Sequence, residues 1–275
     1  MNTACRLATG LFAAGLSVVA LGSPLVETAR AADAQAVRAA KGALQKAVNQ
    51  GSPEGILAAR NQFATLSAAE PSNAQLHYWV ALADWRVVPI LSGRNKDKKS
   101  AVRYCKDGLE ECERALKADE KFAEALALKA GLQGLSISLE MNSGMTMGMQ
   151  MGMTMNRARD MAPKNPRILF LDGVNTLYTP EFVGGGSKKS LEKLEKAMEL
   201  FAAEAAAPAP ADPLTPDWGR DDVYVWAGRA AVEGERYADA KTFYKKALEI
   251  NPENGWVEHA LLPALEKKMT EKGNS

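Results

Sequence analysis

Apolar residues recur along this chain at helical spacing, and alanine is abundant among them. No run alternates β-branched and polar positions strictly, as a half-buried strand would. Breakers punctuate the pattern at fairly even intervals: Gly51-Ser52-Pro53, Pro71-Ser72-Asn73, Gly93-Arg94-Asn95, Pro163 to Pro166, Pro180 to Gly186 and Pro208 to Pro216. Between them the pattern predicts helices of about 12 to 20 residues, joined as hairpins. An opening pair covers 34–68. Asn73–Ile90 pairs with Lys98–Ala118, and Phe122 to about Leu139 pairs with a helix stopped by Pro163. Glu258 to Lys272 reads as a polar capping helix, which an array of hairpins needs at its end.

The last hairpin, Asp221–Pro252, carries the clearest pattern. Gly228 is followed by Ala240, Tyr244, Ala247 and Pro252, at steps of twelve, four, three and five residues. Small residues let two antiparallel helices approach, an aromatic fills the space between them, and proline stops the second helix. On this reading Gly228 and Ala240 face each other at the crossing. The small–small–aromatic–small–proline spacing resembles a tetratricopeptide repeat. Weaker copies lie upstream. Gly173, Ser190, Leu194 and Ala197 fit with about five residues inserted between the helices; Met151, Met155, Ala158 and Pro163 repeat the second-helix spacing; Ala83 and Ala115 fit with a longer insertion. The run from Asn165 through Tyr178-Thr179-Pro180-Glu181-Phe182-Val183 and its three glycines, with the later Trp218-Gly219 and Gly255-Trp256-Val257, is similar to a family of secreted bacterial repeat proteins. The resemblance implies an all-α, TPR-like α-solenoid of about four helical hairpins with a C-terminal capping helix.

The N-terminus changes the picture of where such a protein works. Arg6 precedes an apolar stretch, Leu7 to Leu21, of signal-peptide length and too short to span a membrane convincingly. Ala29-Arg30-Ala31 offers small residues where signal peptidase reads, so residues 1–31 are expected to be a Sec leader. Cleavage is expected after Ala31, or nearby at Ala32-Asp33-Ala34, leaving 32–275 as a single repeat domain in the periplasm. Cys5 lies ahead of the apolar stretch, so no lipid anchor is expected. Of 34 basic and 33 acidic residues, Arg6, Arg30 and Glu27 fall in the leader, and the remainder balances to zero. That balance argues against nucleic acid as a partner and against steering to an anionic membrane.

Candidate chemistry is sparse. His77 and His259 are the only histidines, and neither stands in a metal-binding spacing. No nucleophile elbow, Walker loop or dinucleotide fingerprint is present, so neither catalysis nor a cofactor or metal is expected. Cys105 and Cys112 lie seven apart on a predicted helix, placing their Cα atoms ~10 Å apart; a disulfide needs less than ~7 Å. They read as free, buried small residues. Gly184 to Lys189 could hold an anion on exposed amides, but reads better as a loop needing positive φ and tight packing.

Methionines stand at 141, 145, 147, 149, 151, 153 and 155. Met151 and Met155 fall on core positions of a second helix. Met145, Met147, Met149 and Met153 read as apolar lining, the glycines among them suggesting a mobile loop. Three thioethers could instead hold Cu(I). Aromatics cluster on first helices, Tyr78, Trp79, Trp85, Phe170, Tyr178 and Trp226, most of them expected in the core. The resemblance implies a concave face lined by His77, Val80, Asp84, Arg167, Phe170, Val174, Asp222, Val225 and Arg229. A mixed apolar and charged groove of that kind suits a protein or peptide partner in the cell envelope. Two other readings remain: a carrier of an apolar small molecule or lipid, in a cavity lined by the Met-rich segment, and Cu(I) binding by that segment. An enclosed apolar pocket of several hundred Å3 would favour the carrier, an open groove the protein partner.

Overall fold

The computed structural model describes residues 24–140 and 144–273. Among them the chain forms eleven α-helices: α1 Pro24–Gln50, α2 Pro53–Ala69, α3 Ala74–Pro89, α4 Lys98–Ala118, α5 Ala123–Leu139, α6 Gly144–Met161, α7 Pro166–Tyr178, α8 Ser187–Ala206, α9 Asp222–Glu233, α10 Tyr237–Ile250 and α11 Leu262–Gly273. Consecutive helices pack as hairpins, α1 on α2 through α9 on α10, and each second helix but α6 packs closely on the next hairpin. The protein is an all-α, TPR-like solenoid of five hairpins capped by α11, one hairpin more than the pattern suggested. The opening pair expected over 34–68 is the first of the five, α1 with α2. The apolar leader stretch and Met141 lie outside the described residues. Among the described residues no helix is long and apolar enough to cross a membrane.

The breakers act as the sequence implies. Ser52 accepts a hydrogen bond from the Gly55 amide, with Pro53 in the first turn of α2. Asn73 accepts from the Gln75 and Leu76 amides, Asp97 from Ser100, and Asn165 from Arg167 and Ile168 ahead of α7. Each side chain satisfies amides that the first turn of a helix leaves without partners. Buried apolar residues form a core from Val37 on α1 to Leu265 on α11. Among the residues whose burial is described, Val37 is the first buried one, so the described core begins after Ala32.

The repeat register holds, with one correction. A Cβ on Gly228 would lie 2.3 Å from Tyr244 Cε1, and its nearest neighbours are all atoms of that ring. Gly228 therefore faces Tyr244 rather than Ala240; the flat ring occupies the space that a side chain would take. The fourth hairpin repeats this geometry. A Cβ on Gly173 would lie 2.7 Å from Leu194 Cγ, and the Ser190 hydroxyl donates to the Gly173 carbonyl at 2.8 Å. The insertion between α7 and α8 is a 3-10 turn, Glu181–Val183, followed by the three glycines. Gly184 and Gly186 have φ of +96° and +99°. A Cβ on Gly185 would fall 1.9 Å from the Thr179 carbonyl oxygen, so this loop is built for turning and close packing.

The Met-rich stretch differs from expectation: from Gly144 onward it is helix, not loop. Glycine costs a helix ~1 kcal/mol per residue, but methionine is a good helix former and no proline interrupts the run. Cys105 and Cys112 are free and buried. Burial pushes the Cys105 thiol up to about 12 and Cys112 higher still.

Candidate ligand-binding site

The segment joining α8 to α9 runs back across the array as a strap, and its carbonyls are caught by side chains from distant helices. Lys41 on α1 donates to the Pro213 and Thr215 carbonyls at 2.9 and 3.2 Å and pairs with Asp217 at 2.8 Å. The Trp79 indole donates to the Leu214 carbonyl at 2.8 Å, and Arg167 donates to that of Pro216. Prolines in the strap lack amide hydrogens, so capture by donors alone satisfies much of its backbone. Trp218 anchors the end. It is buried, lies 5.8 Å from Phe170 and 6.1 Å from Trp85, and donates to the Tyr78 hydroxyl at 2.8 Å. Tyr78 in turn donates to buried Glu124 at 3.2 Å, and Asn165 donates to the same carboxylate at 2.6 Å. Burial raises the Glu124 carboxyl despite nearby Arg167.

This strap decides where the expected partner-binding residues lie. His77, Val80, Asp84, Arg167, Phe170, Val174 and Val225 are buried, while Asp222 and Arg229 are half-buried. The expectation of an open, concave groove does not fit these positions, because the strap and neighbouring helices cover them. Four of the five polar members, all but Arg229, are already paired with other side chains. His77 hydrogen-bonds Glu111 at 2.6 Å and the Pro71 carbonyl at 3.0 Å. Asp84 accepts from Arg60 at 2.5 Å. Arg167 holds Glu204 with two bonds, at 2.7 and 2.8 Å. Asp222 receives both arms of Arg86, at 2.7 and 2.5 Å. Of the aromatics expected in the core, Tyr78, Trp79, Trp85 and Phe170 are there; Tyr178 is exposed and Trp226 half-buried.

Among the described residues the Met-rich helix borders an open hollow rather than an enclosed cavity, and the Met145 side chain lies outside them. Met149 and Met153 are exposed and Met147 half-buried; Met147 and Met153 border a shallow hollow with Leu109, Glu113, Lys129 and Gln133. Among the described residues no three His, Cys, Asp or Glu side chains gather as a metal site would require.

The cleft that sequence reasoning missed lies beneath the strap. It has a volume of about 500 Å3 and is bounded by α1, α3 and Ala209 to Trp218. Leu44 and Val48 from α1, Leu82 and the Trp79 indole from α3, and Pro210, Pro213 and Trp218 from the strap give it apolar walls. Arg38, Lys41, Gln45, Arg86 and Asp217 stand at its polar edges. Lys41 and Arg86 are committed to the strap and to Asp222; Arg38 makes no ion pair among the described residues. The local signal was the spacing of 38, 41, 45 and 48 on α1 and of 79, 82 and 86 on α3, each set sharing one helix face. Nothing in the sequence said that the two faces would meet across a loop more than a hundred residues away.

Outside the strap, Tyr178 ends α7, and α9 carries Trp226 and Arg229. Trp256 approaches from the segment after α10. The ring centroids of Tyr178 and Trp226 are 6.0 Å apart, and those of Trp226 and Trp256 are 6.3 Å apart. The Arg229 guanidinium lies over all three rings, 4.4 Å from Trp226, 5.3 Å from Trp256 and 5.8 Å from Tyr178.

Five hairpins with small-on-large crossings, a capping helix and a strapped interior define a TPR-like helical repeat fold. Solved structures similar in fold include two helical proteins. The HusA haemophore from Porphyromonas gingivalis is 22% identical, with a TM-score of 0.55 over 70% of this chain and 94% of its own. A thermophilic TPR protein from Thermus thermophilus is 14% identical, with a TM-score of 0.54 over 82% of this chain and 98% of its own. No protein-family model and no curated protein matches the chain.

Proposed function

We propose that this chain is an exported binding protein, a single repeat domain over 32–275, that carries a small, largely apolar molecule in the cleft beneath its strap. The observation behind this reading is the cleft itself. Its volume of about 500 Å3 falls within the ~300–1,000 Å3 typical of ligand sites. Two indoles and three aliphatic side chains supply the apolar contact, and Arg38 offers a cation at the rim to an anionic end of the ligand. A polypeptide laid along the nine expected positions would have to displace the strap, with its five carbonyl and carboxylate contacts to Lys41, Trp79 and Arg167. Export follows from the leader pattern. HusA is a haemophore, which makes haemin the first probe to try.

Gly42 supplies a clean test. It lines the cleft on α1, and a Cβ there would meet nothing within 4 Å. Gly42→Phe therefore adds a ring to the lining of the cleft without a backbone clash and replaces a poor helix former with a better one. Titration of haemin and of a long-chain fatty acid, followed by tryptophan fluorescence, should show saturable binding of at least one. Gly42→Phe should weaken it at least tenfold while leaving the thermal midpoint equal or higher. If neither probe binds, and native mass spectrometry of the exported protein finds no bound small molecule, the carrier reading fails.

A further inference from the structure

We infer that the line of rings Tyr178, Trp226 and Trp256 around Arg229 is a second binding site, one that takes an acidic side chain carried between apolar neighbours on a segment of a partner protein. The cleft beneath the strap plays no part in it.

The inference starts from the state of the cation. Arg229 makes no ion pair among the described residues; the neutral phenol of Tyr178 lies beside it, its ring centroid 5.8 Å away. A guanidinium carries five donors in a planar fork that matches a carboxylate, so most of this one's capacity is unused. The other conspicuous arginines of the inner face are neutralised, Arg86 by Asp222 and Arg167 by Glu204. Stacked among rings, Arg229 is held in place rather than waving in solvent, so little side-chain freedom remains to be lost on binding.

The rings are also more exposed than their chemistry favours. Tyr178 is 61% and Trp256 41% exposed. Four residues beyond Tyr178, on the 3-10 turn, Phe182 is 89% exposed. Single exposed apolar residues are ordinary, but a contiguous group marks an interaction surface. Tryptophan, tyrosine and arginine are the residues that most often dominate binding energy at protein interfaces.

Geometry selects the occupant. The neighbouring rings meet at interplanar angles of 85° and 67°. They form notches rather than the flat platform on which a sugar ring would stack. Apolar surface lies on both sides of the charge, Tyr178 on one side and Trp256 on the other, with Trp226 and Arg229 between. An acidic residue inside a chain, flanked by apolar residues before and after it, presents that same order. A chain terminus presents apolar surface on one side only.

The test uses three matched sets of short synthetic peptides, read by tryptophan fluorescence and calorimetry on the full-length mature protein. Peptides in the first set are acetylated and amidated pentapeptides with a central glutamate between Leu, Val or Phe. A second set has glutamine at the centre. The third lacks an internal acid and ends in a free carboxylate. Glutamate peptides should bind at least tenfold tighter than their glutamine counterparts, with affinity falling as salt is raised. Arg229→Gln should abolish the difference, Trp256→Ala should weaken both sets, and Gly42→Phe should leave binding unchanged. The glutamate–glutamine comparison is made on unaltered protein, so a folding defect in a variant cannot decide it. Equal binding of the first two sets, no binding by any glutamate peptide, or tightest binding by the third set overturns the inference.

Discussion

Asp84 is a charged residue poorly matched to its surroundings. It is fully buried, its Oδ1 accepts from Arg60, and its Oδ2 has no hydrogen-bond partner. Burial pushes its carboxyl from 3.8 up to about 7; Arg60 opposes the shift, while Asp107 and Glu111 add to it. Between these values the folded protein keeps a proton that the unfolded chain has released. Stability therefore falls as pH rises through that window, by at most about 1.4 kcal/mol per pH unit, and levels off above it. Asp84→Asn removes the titration while keeping the side chain's shape. Urea unfolding at pH 5 and pH 7.5 should show a smaller loss of stability on going to the higher pH in the variant than in the parent. An unchanged slope would mean that Asp84 is ionised throughout. The sequence shows Asp84 on a helix of apolar neighbours. It does not show Arg60, which reaches it from the preceding hairpin. Cys105 and Cys112 were legible, because helical spacing alone separates them.

At the scale of elements, the crossing of α9 and α10 was readable to within one helical turn. Its spacing of small and large positions was correct, and only the partner of Gly228 changed. Placing a methyl at 228 drives it into the Tyr244 ring, which is buried and has no room to rotate away. Gly228→Ala should cost about 1–3 kcal/mol despite its better helix propensity. Gly42→Ala, facing open space on α1, should gain roughly 0.5–1 kcal/mol from propensity alone. Thermal and denaturant melts of the two variants check both; a tolerated Gly228→Ala would mean that the two helices are further apart than described. The Met-rich helix was misjudged because glycine signals a loop locally, while helix formation is decided by the whole run. The strap was read only as a breaker. Its holding contacts span 135 residues from Trp79 to Leu214 and 140 from Tyr78 to Trp218, and no local periodicity encodes pairings that distant.

At the scale of the molecule, the first hairpin meets the last. Asn49, at the end of α1, exchanges amide hydrogen bonds with Asn251 at 2.9 and 3.3 Å. Asn251 and Asn254 both donate to Asp221, at 2.7 and 3.2 Å. A Cβ on Gly255 would lie 2.9 Å from the Asn49 carbonyl oxygen. Repeat arrays ordinarily touch only their neighbours, so each unit contributes its own stability and unfolding can begin at either end. Here the opening hairpin is tied to the fifth, and the strap ties α1, α3 and α7 together from above. Among the described residues, neither the first nor the fifth hairpin is free to unzip independently of the other. Urea should unfold it in one transition, with far-UV and tryptophan signals coincident. Asn251→Ala cuts the tie and leaves the buried Asn49 and Asp221 short of partners, at a cost of about 1–3 kcal/mol. In that variant the two signals should separate, and amide exchange should speed up first in α1 and α2. Coincident curves in the variant would place the cooperativity elsewhere. A carrier built this way would hold its cargo in an all-or-none fashion: α1 forms one wall of the cleft and also carries Asn49, which ties the first hairpin to the fifth, so that wall cannot loosen without straining the tie.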